Sequence, residues 1–142
     1  MKYLLDTNVV SEPFKARPHD NVIRWLAAAD EESLFLSVIT IAEIRKGIED
    51  MASGRRRDDL TNWLIEYLGV RFDRRILDVG LSVALVWGEM MSRSEKLGIN
   101  LGAMDAFFAA TAEVHNLTLV TRNIRDLERL SIHLVNPWEE AS

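Results

Sequence analysis

Lys2-Tyr3-Leu4-Leu5-Asp6-Thr7-Asn8 opens the chain with a short apolar run that stops at Asp-Thr-Asn, a set of residues that closes a strand and starts a turn. This stretch predicts a buried β-strand over Lys2–Asp6. Its company is decided downstream. Pro13 and Pro18 mark a loop, and Val22, Ile23, Trp25 and Leu26 then carry a helical pattern to about Ala29. Ser33–Ser37 reads as a second strand and the segment from Val38 as a helix, with Ser37 as its N-cap, a face of Val38, Ile41, Ala42, Ile48 and Met51, and Gly54 punctuating its end. Leu60, Trp63, Leu64, Tyr67 and Leu68 predict a second helix that forms a hairpin with the first.

Ile76–Val79 is a third short strand, and Leu81–Lys96 a long helix with Leu81, Ala84, Leu85, Gly88 and Met91 facing inward. Ala103–His115 is a further helix opened by Gly102, Thr118–Thr121 a β-branched strand, and a short helix and a strand around Ile132–Val135 come last. Strands alternating with helices imply parallel pairing by right-handed crossovers, hence an α/β sandwich with a central, mostly parallel sheet. Ligand sites of such sheets lie beyond the C-terminal ends of the strands, where Asp6 and Asn123 both fall.

The bulk numbers agree with one soluble globular domain over 1–142: 48% hydrophobic and 27% charged residues, with no repeat or linker. Apolar stretches such as Leu34–Ile44 are broken well short of the roughly 20 residues of a bilayer span, and the N-terminus lacks the apolar region of an export signal. With no cysteine, disulfides and thiolate metal sites are excluded, and a reducing cytoplasm is the expected compartment. A net charge of −5 argues against non-specific coating of nucleic acid. Arg55-Arg56-Arg57 and the group Arg71, Arg74, Arg75 are local basic clusters open to phosphates or, with Asp58 and Asp59 following at once, to plain solvation.

Three acids stand out. Asp6 ends a strand, where it serves an Asx-turn or a site. Glu43 interrupts the apolar Ile39–Ile44 run, where a carboxylate needs a partner, with Lys46, Lys2 or the solvent as the plain alternatives. Asp105 sits at the start of an apolar helix, where the helix dipole favours negative charge. A parallel sheet would converge them, and two carboxylates about 4 Å apart repel by roughly 4 kcal/mol at an effective dielectric of about 20, which a divalent cation would relieve. Oxygen ligands without Cys or paired His suit Mg²⁺ or Mn²⁺ better than zinc. Carboxylate-held Mg²⁺ activates a water against a phosphodiester.

Met1–Pro13, Thr40–Gly47, Asp105–Ala112 and Leu119–Asn123 resemble, in order, the successive motifs of PIN-domain VapC toxins, and Val135-Asn136-Pro137-Trp138 resembles the end of the FitB and StbB-like branch. The resemblance implies a PIN-like sandwich and the toxin of a type II toxin–antitoxin pair. It implies a Mg²⁺-dependent endoribonuclease acting by metal-activated water, usually homodimeric, and inhibited by a cognate VapB-like antitoxin. Asp6, Glu43 and Asp105 then match the metal-binding acids, with Thr7 and Thr40 as supporting hydroxyls. The departure is Asn123, where many members carry a fourth acid; Asp126 is its alternative, and Asn123 also reads as a helix cap. Arg122 and Arg55-Arg56-Arg57 are the RNA-binding candidates, and Trp138 an apolar anchor for the C-terminal tail rather than a stacking platform for RNA. Asn8 argues against a phosphatase with an Asp-x-Asp nucleophile, which would need an acid there. The other alternative is a non-catalytic PIN-fold binding module acting through a DNA-bound partner.

Overall fold

The computed structural model describes residues 1–139. Five strands, β1 (Tyr3–Leu5), β2 (Leu34–Ser37), β3 (Ile76–Leu77), β4 (Thr118–Val120) and β5 (Leu134–Val135), form one sheet in the order β3-β2-β1-β4-β5. Every pairing is parallel. The chain moves outward from β1 through β2 to β3, then returns to β1's other side for β4 and β5. That reversal opens a crevice beyond the ends of β1 and β4, the usual ligand position in such sheets.

Period-two alternation sends neighbouring residues to opposite layers. Leu4 and Leu119 pack on α6 (Leu81–Lys96) and α7 (Ala103–His115) through Met90, Ala106, Phe108 and Ala109. Leu5, Leu34, Leu36 and Val120 pack the other way, on Val9, Val10, Val22, Ile48, Leu64 and Phe72. These come from α1 (Thr7–Ser11), α2 (Asp20–Ala28), α3 (Val38–Glu49) and the hairpin arm beyond it. Burying each large side chain contributes about 1.5–3 kcal/mol, so both layers are needed to hold β1 in place.

Local chemistry fixes several boundaries. Ser37 Oγ accepts from the Ile39 N–H at 3.0 Å and starts α3, as expected. Asn116, in the left-handed conformation at φ 54°, ends α7. The hairpin arm consists of α4 (Arg55–Asn62), a π-helical stretch over Trp63–Leu68 and α5 (Gly69–Arg71), rather than one regular helix.

Four expectations are corrected. The segment after Asp6 is not loop throughout: Asp6 caps α1, and Pro13 sits at the start of a 3₁₀ turn over Glu12–Phe14, where its missing N–H costs nothing. Gly54 does not end α3, which stops at Glu49, but precedes α4. On α3 Ala42 is exposed, while Ile41 and Ile48 pack inward as expected and Ile39, Thr40 and Ile44 join them. On α6 the bounds stand, yet Leu81 and Leu85 are 77% and 62% exposed, whereas Val83, Met90 and Ser94 are buried. Its sequence is apolar on two sides, so periodicity alone could not choose between them. No helix among the described residues is long and apolar enough to cross a membrane.

Candidate active site

Asp6 leaves β1 with its N–H bonded to the Val120 carbonyl at 3.0 Å, which extends the β1–β4 pairing by one residue. The residue is 7% exposed. Oδ1 accepts from the Asn8 N–H at 2.6 Å, the capping bond of α1, and Oδ2 accepts from Thr121 Oγ1 at 2.6 Å. The Asx-turn role and the site role are therefore compatible. Burial pushes the Asp6 carboxyl above its ordinary 3.8, opposed by the Thr121 and Asn8 bonds and reinforced by the negative charge of Asp105.

Asp105 lies in the first turn of α7 and accepts from Asn123 Nδ2 at 3.0 Å. Asn123 in turn donates its N–H to Thr121 Oγ1 at 3.2 Å. Asp6, Thr121, Asn123 and Asp105 thus form one hydrogen-bonded chain across the crevice. Asn123's side chain turns to Asp105 instead of capping the following turn. Asp126 makes no side-chain hydrogen bond or ion pair among the described residues and is held to no other acid. Thr121 was not singled out by sequence reading. Its signal was a hydroxyl placed directly after a buried strand, one residue beyond the register partner of Leu5.

Glu43 stands apart, exposed on the second turn of α3. Thr7 Oγ1 donates to its Oε1 at 2.6 Å, and Thr7 and Thr40 Oγ1 are 3.0 Å apart. A hydroxyl has one proton, so Thr40, fully buried, donates to Thr7 and Thr7 to Glu43. Neither Lys46, which pairs with Asp50, nor Lys2 is its partner.

The basic candidates divide. Arg71 and Arg75 clasp Glu31 and lie over the Phe72 ring, and Arg75 also donates to the carbonyls of Leu34 and Arg71, so both staple β2 to α5. Arg57 is bound to Glu49 and the Ile48 carbonyl. Arg55 and Arg56 are exposed, and Arg56 lines an open groove with Phe14 and Lys15. Arg122 sits between Thr121 and Asn123, its guanidinium 5.4 Å from the centre of the Trp138 ring. Trp138 itself is buried in the core layer, as an anchor should be.

Among the described residues, no three acidic or histidine side chains form a ready-made ligand cage. Asp6 and Asp105 are joined through Thr121 and Asn123, and Glu43 is tied to Thr7, the residue that follows Asp6. The donors are carboxylate, carboxamide and hydroxyl oxygens, and the Asp6 carboxylate is held in a setting that disfavours its charge. Both features fit a hard divalent cation.

The PIN domain family pattern matches residues 3–132. The plasmid stability protein StbB of Pseudomonas syringae pv. tomato is 38% identical, covering 96% of this chain and 98% of that protein. The toxin FitB of Neisseria gonorrhoeae is 34% identical over 96% of this chain and 99% of its own, and the VapC ribonuclease Y4jK of Sinorhizobium fredii 36% over 97% and 99%. Among solved structures, FitAB bound to an IR36 DNA fragment superposes with a TM-score of 0.94 at 32% identity, covering 99% of this chain and 98% of that one.

Proposed function

This chain belongs to the PIN domain family, and from that premise we propose that it is the toxin of a type II toxin–antitoxin pair. It is an endoribonuclease that hydrolyses RNA phosphodiester bonds and is held inactive by a cognate VapB-like antitoxin. The observation that carries the reading is the hydrogen-bonded chain Asp6–Thr121–Asn123–Asp105 at the reversal point of the sheet, with Glu43 tied to Thr7, the residue that follows Asp6. The named relatives support it: a toxin, a ribonuclease, and a toxin structure determined with its FitA partner on DNA.

The metal reading names Mg²⁺, with Mn²⁺ as the alternative, held by Asp6 and Asp105 with Glu43 as the third acid and the Asn123 oxygen as a weaker donor; Asp126 is the remaining candidate. When bound, a divalent cation supplies a more acidic water and a positive charge against the phosphate. Thr121 keeps the Asp6 carboxylate aimed at the crevice, and Asn123 does the same for Asp105. Glu43, exposed and held at one oxygen only, is the carboxylate best placed to take a proton. Thr7, fixed by Thr40, sets its orientation. Arg122 and the exposed Arg55 and Arg56 are the cations for RNA phosphates, with Arg57 committed to Glu49. Because Asn123 adds no charge, one metal at rest is favoured over two.

The protein is one domain over 1–142 that works in the cytoplasm, where RNA and antitoxin are made. It acts as a homodimer, and the apolar Leu81 and Leu85 on α6 supply an unpartnered row for the second copy. Light scattering should give twice the chain mass, and Leu85→Asp should return the monomer with its Tm little changed. The function is tested with purified protein and single-stranded RNA. Cleavage in Mg²⁺, lost in EDTA and in Asp105→Asn with the circular dichroism unchanged, is expected. Equal cleavage by Asp105→Asn would remove the assignment, and no cleavage by the native chain would favour the binding-module reading.

A further inference from the structure

Asp105 stands in a turn with little of its own to hold it. Between the buried Leu101 and Ala106, the residues Gly102, Ala103 and Met104 are all exposed, and Gly102 gives α7 no side-chain cap. The first N–H groups of a helix have no partners inside it, so an uncapped first turn opens at low cost. Asn123 holds the Asp105 carboxylate at one oxygen, which fixes the side chain and not the turn that carries it. The load on that turn is electrostatic. The negative charges of Asp6 and Asp105 oppose one another, and Asp6 is fixed at both of its oxygens, so Asp105 is the one free to give way.

Trp87 supplies the missing hold from α6. Its Nε1–H donates to the Ala103 carbonyl at 3.0 Å, and its ring stacks on Phe107 with centroids 5.1 Å apart and planes inclined by 20°. Ala103 lies two residues before Asp105 and Phe107 two residues after it, so one half-buried indole grips both flanks of the acid. α6 is anchored in its turn by the buried Val83 and Met90. The two contacts separate chemically. Any aromatic ring at position 87 could stack on Phe107, whereas the indole N–H serves the Ala103 carbonyl alone. A carboxylate whose carrier is already in place gives up less freedom when it binds an ion, and binds it more tightly.

Resting on the metal-dependent ribonuclease reading, we infer that Trp87 is a positioning residue: its Nε1–H and its ring clamp the first turn of α7, so that Asp105 meets the divalent cation already in place. Trp87 touches neither metal nor RNA and acts only through the backbone that carries Asp105.

The test titrates the full chain, free of metal and RNA, with Mn²⁺ alone and follows the free ion by electron paramagnetic resonance. Trp87→Phe keeps a ring on Phe107 and removes the N–H, and is expected to raise the Mn²⁺ Kd roughly threefold to tenfold. In cleavage assays the Mg²⁺ concentration at half activity should rise by the same factor, while kcat at saturating Mg²⁺ and KM for RNA stay within about twofold. Ile132→Val thins the same core layer beside Asn116, at the far end of α7, and should lower Tm with a native Mn²⁺ Kd. A native Mn²⁺ Kd in Trp87→Phe, or an equal rise in Ile132→Val, would overturn the inference. Should Trp87→Phe not fold, Phe107→Leu decides: it removes the stack from the other side, a raised Mn²⁺ Kd supports the clamp and a native one overturns it. A native chain that binds no Mn²⁺ removes the metal reading and this inference together. Mn²⁺ binding that depends on Trp87 in a chain that cleaves no RNA removes the ribonuclease reading and leaves the clamp standing. Native cleavage with an unchanged Mn²⁺ Kd in Trp87→Phe removes this inference alone.

Discussion

Asp6 and Glu43 are both candidate site carboxylates, but the fold holds them in opposite ways. Asp6 is buried, fixed at both oxygens by a backbone N–H and Thr121, and burdened by burial and by Asp105. Glu43 is exposed and tied at one oxygen by a side-chain hydroxyl that is itself held by Thr40. The first arrangement stores electrostatic cost in a rigid frame, which suits an ion site; the second leaves a carboxylate able to adjust, which suits proton transfer. The contrast is a statement about roles, and it can be broken.

The largest effect is expected at the rigid side. Asp6→Asn should lower RNA cleavage on the order of 10³-fold or more, because charge and aim are lost together. In EDTA the same variant should be no less stable than the native chain, read as Tm. A destabilised Asp6→Asn would mean that the carboxylate is there for folding. Next comes Glu43→Gln, with a loss of about 10²-fold in kcat and little change in the Mg²⁺ concentration at half activity. A large rise in that concentration would make Glu43 a ligand equal to Asp6 and erase the distinction. Thr7→Val should cost about tenfold, as is usual when a partner that orients a site carboxylate is removed.

The smallest effect is on stability and pH. The folded pKa of Asp6 lies above its unfolded value, so between the two the folded state binds more protons, and stability falls as pH rises through that window. Metal-free protein should therefore lose Tm as pH rises through that window, and Mg²⁺ should restore it at neutral pH. In Asp6→Asn both the slope and the Mg²⁺ response should shrink. An unchanged slope would place the electrostatic burden elsewhere.

Much of this was legible in the sequence where one residue type had one use. Tyr3-Leu4-Leu5 had to be a strand, Ser37 had to cap, and Gly102 had to open α7. The acids were visible because a carboxylate beside apolar runs needs a reason. Contacts made by ordinary residues were not visible. Thr121 and Trp87 carry no pattern of their own, and only the juxtaposition of β1 with β4 and of α6 with α7 gives them partners. Arg71 and Arg75 looked available for phosphates until the fold supplied Glu31 from 40 and 44 positions away. The inward side of α6 stayed hidden because both of its sides are apolar.

The order of strands carries a consequence for the making of the protein. β1 emerges early during synthesis, but its neighbour β4 is made only after residue 117 and brings Thr121 and Asn123 with it. A growing or prematurely ended chain that lacks them exposes one edge of β1 and has Asp6 and Asp105 without the bridge between them. The bridge between Asp6 and Asp105 is thus set only when most of the chain has been made.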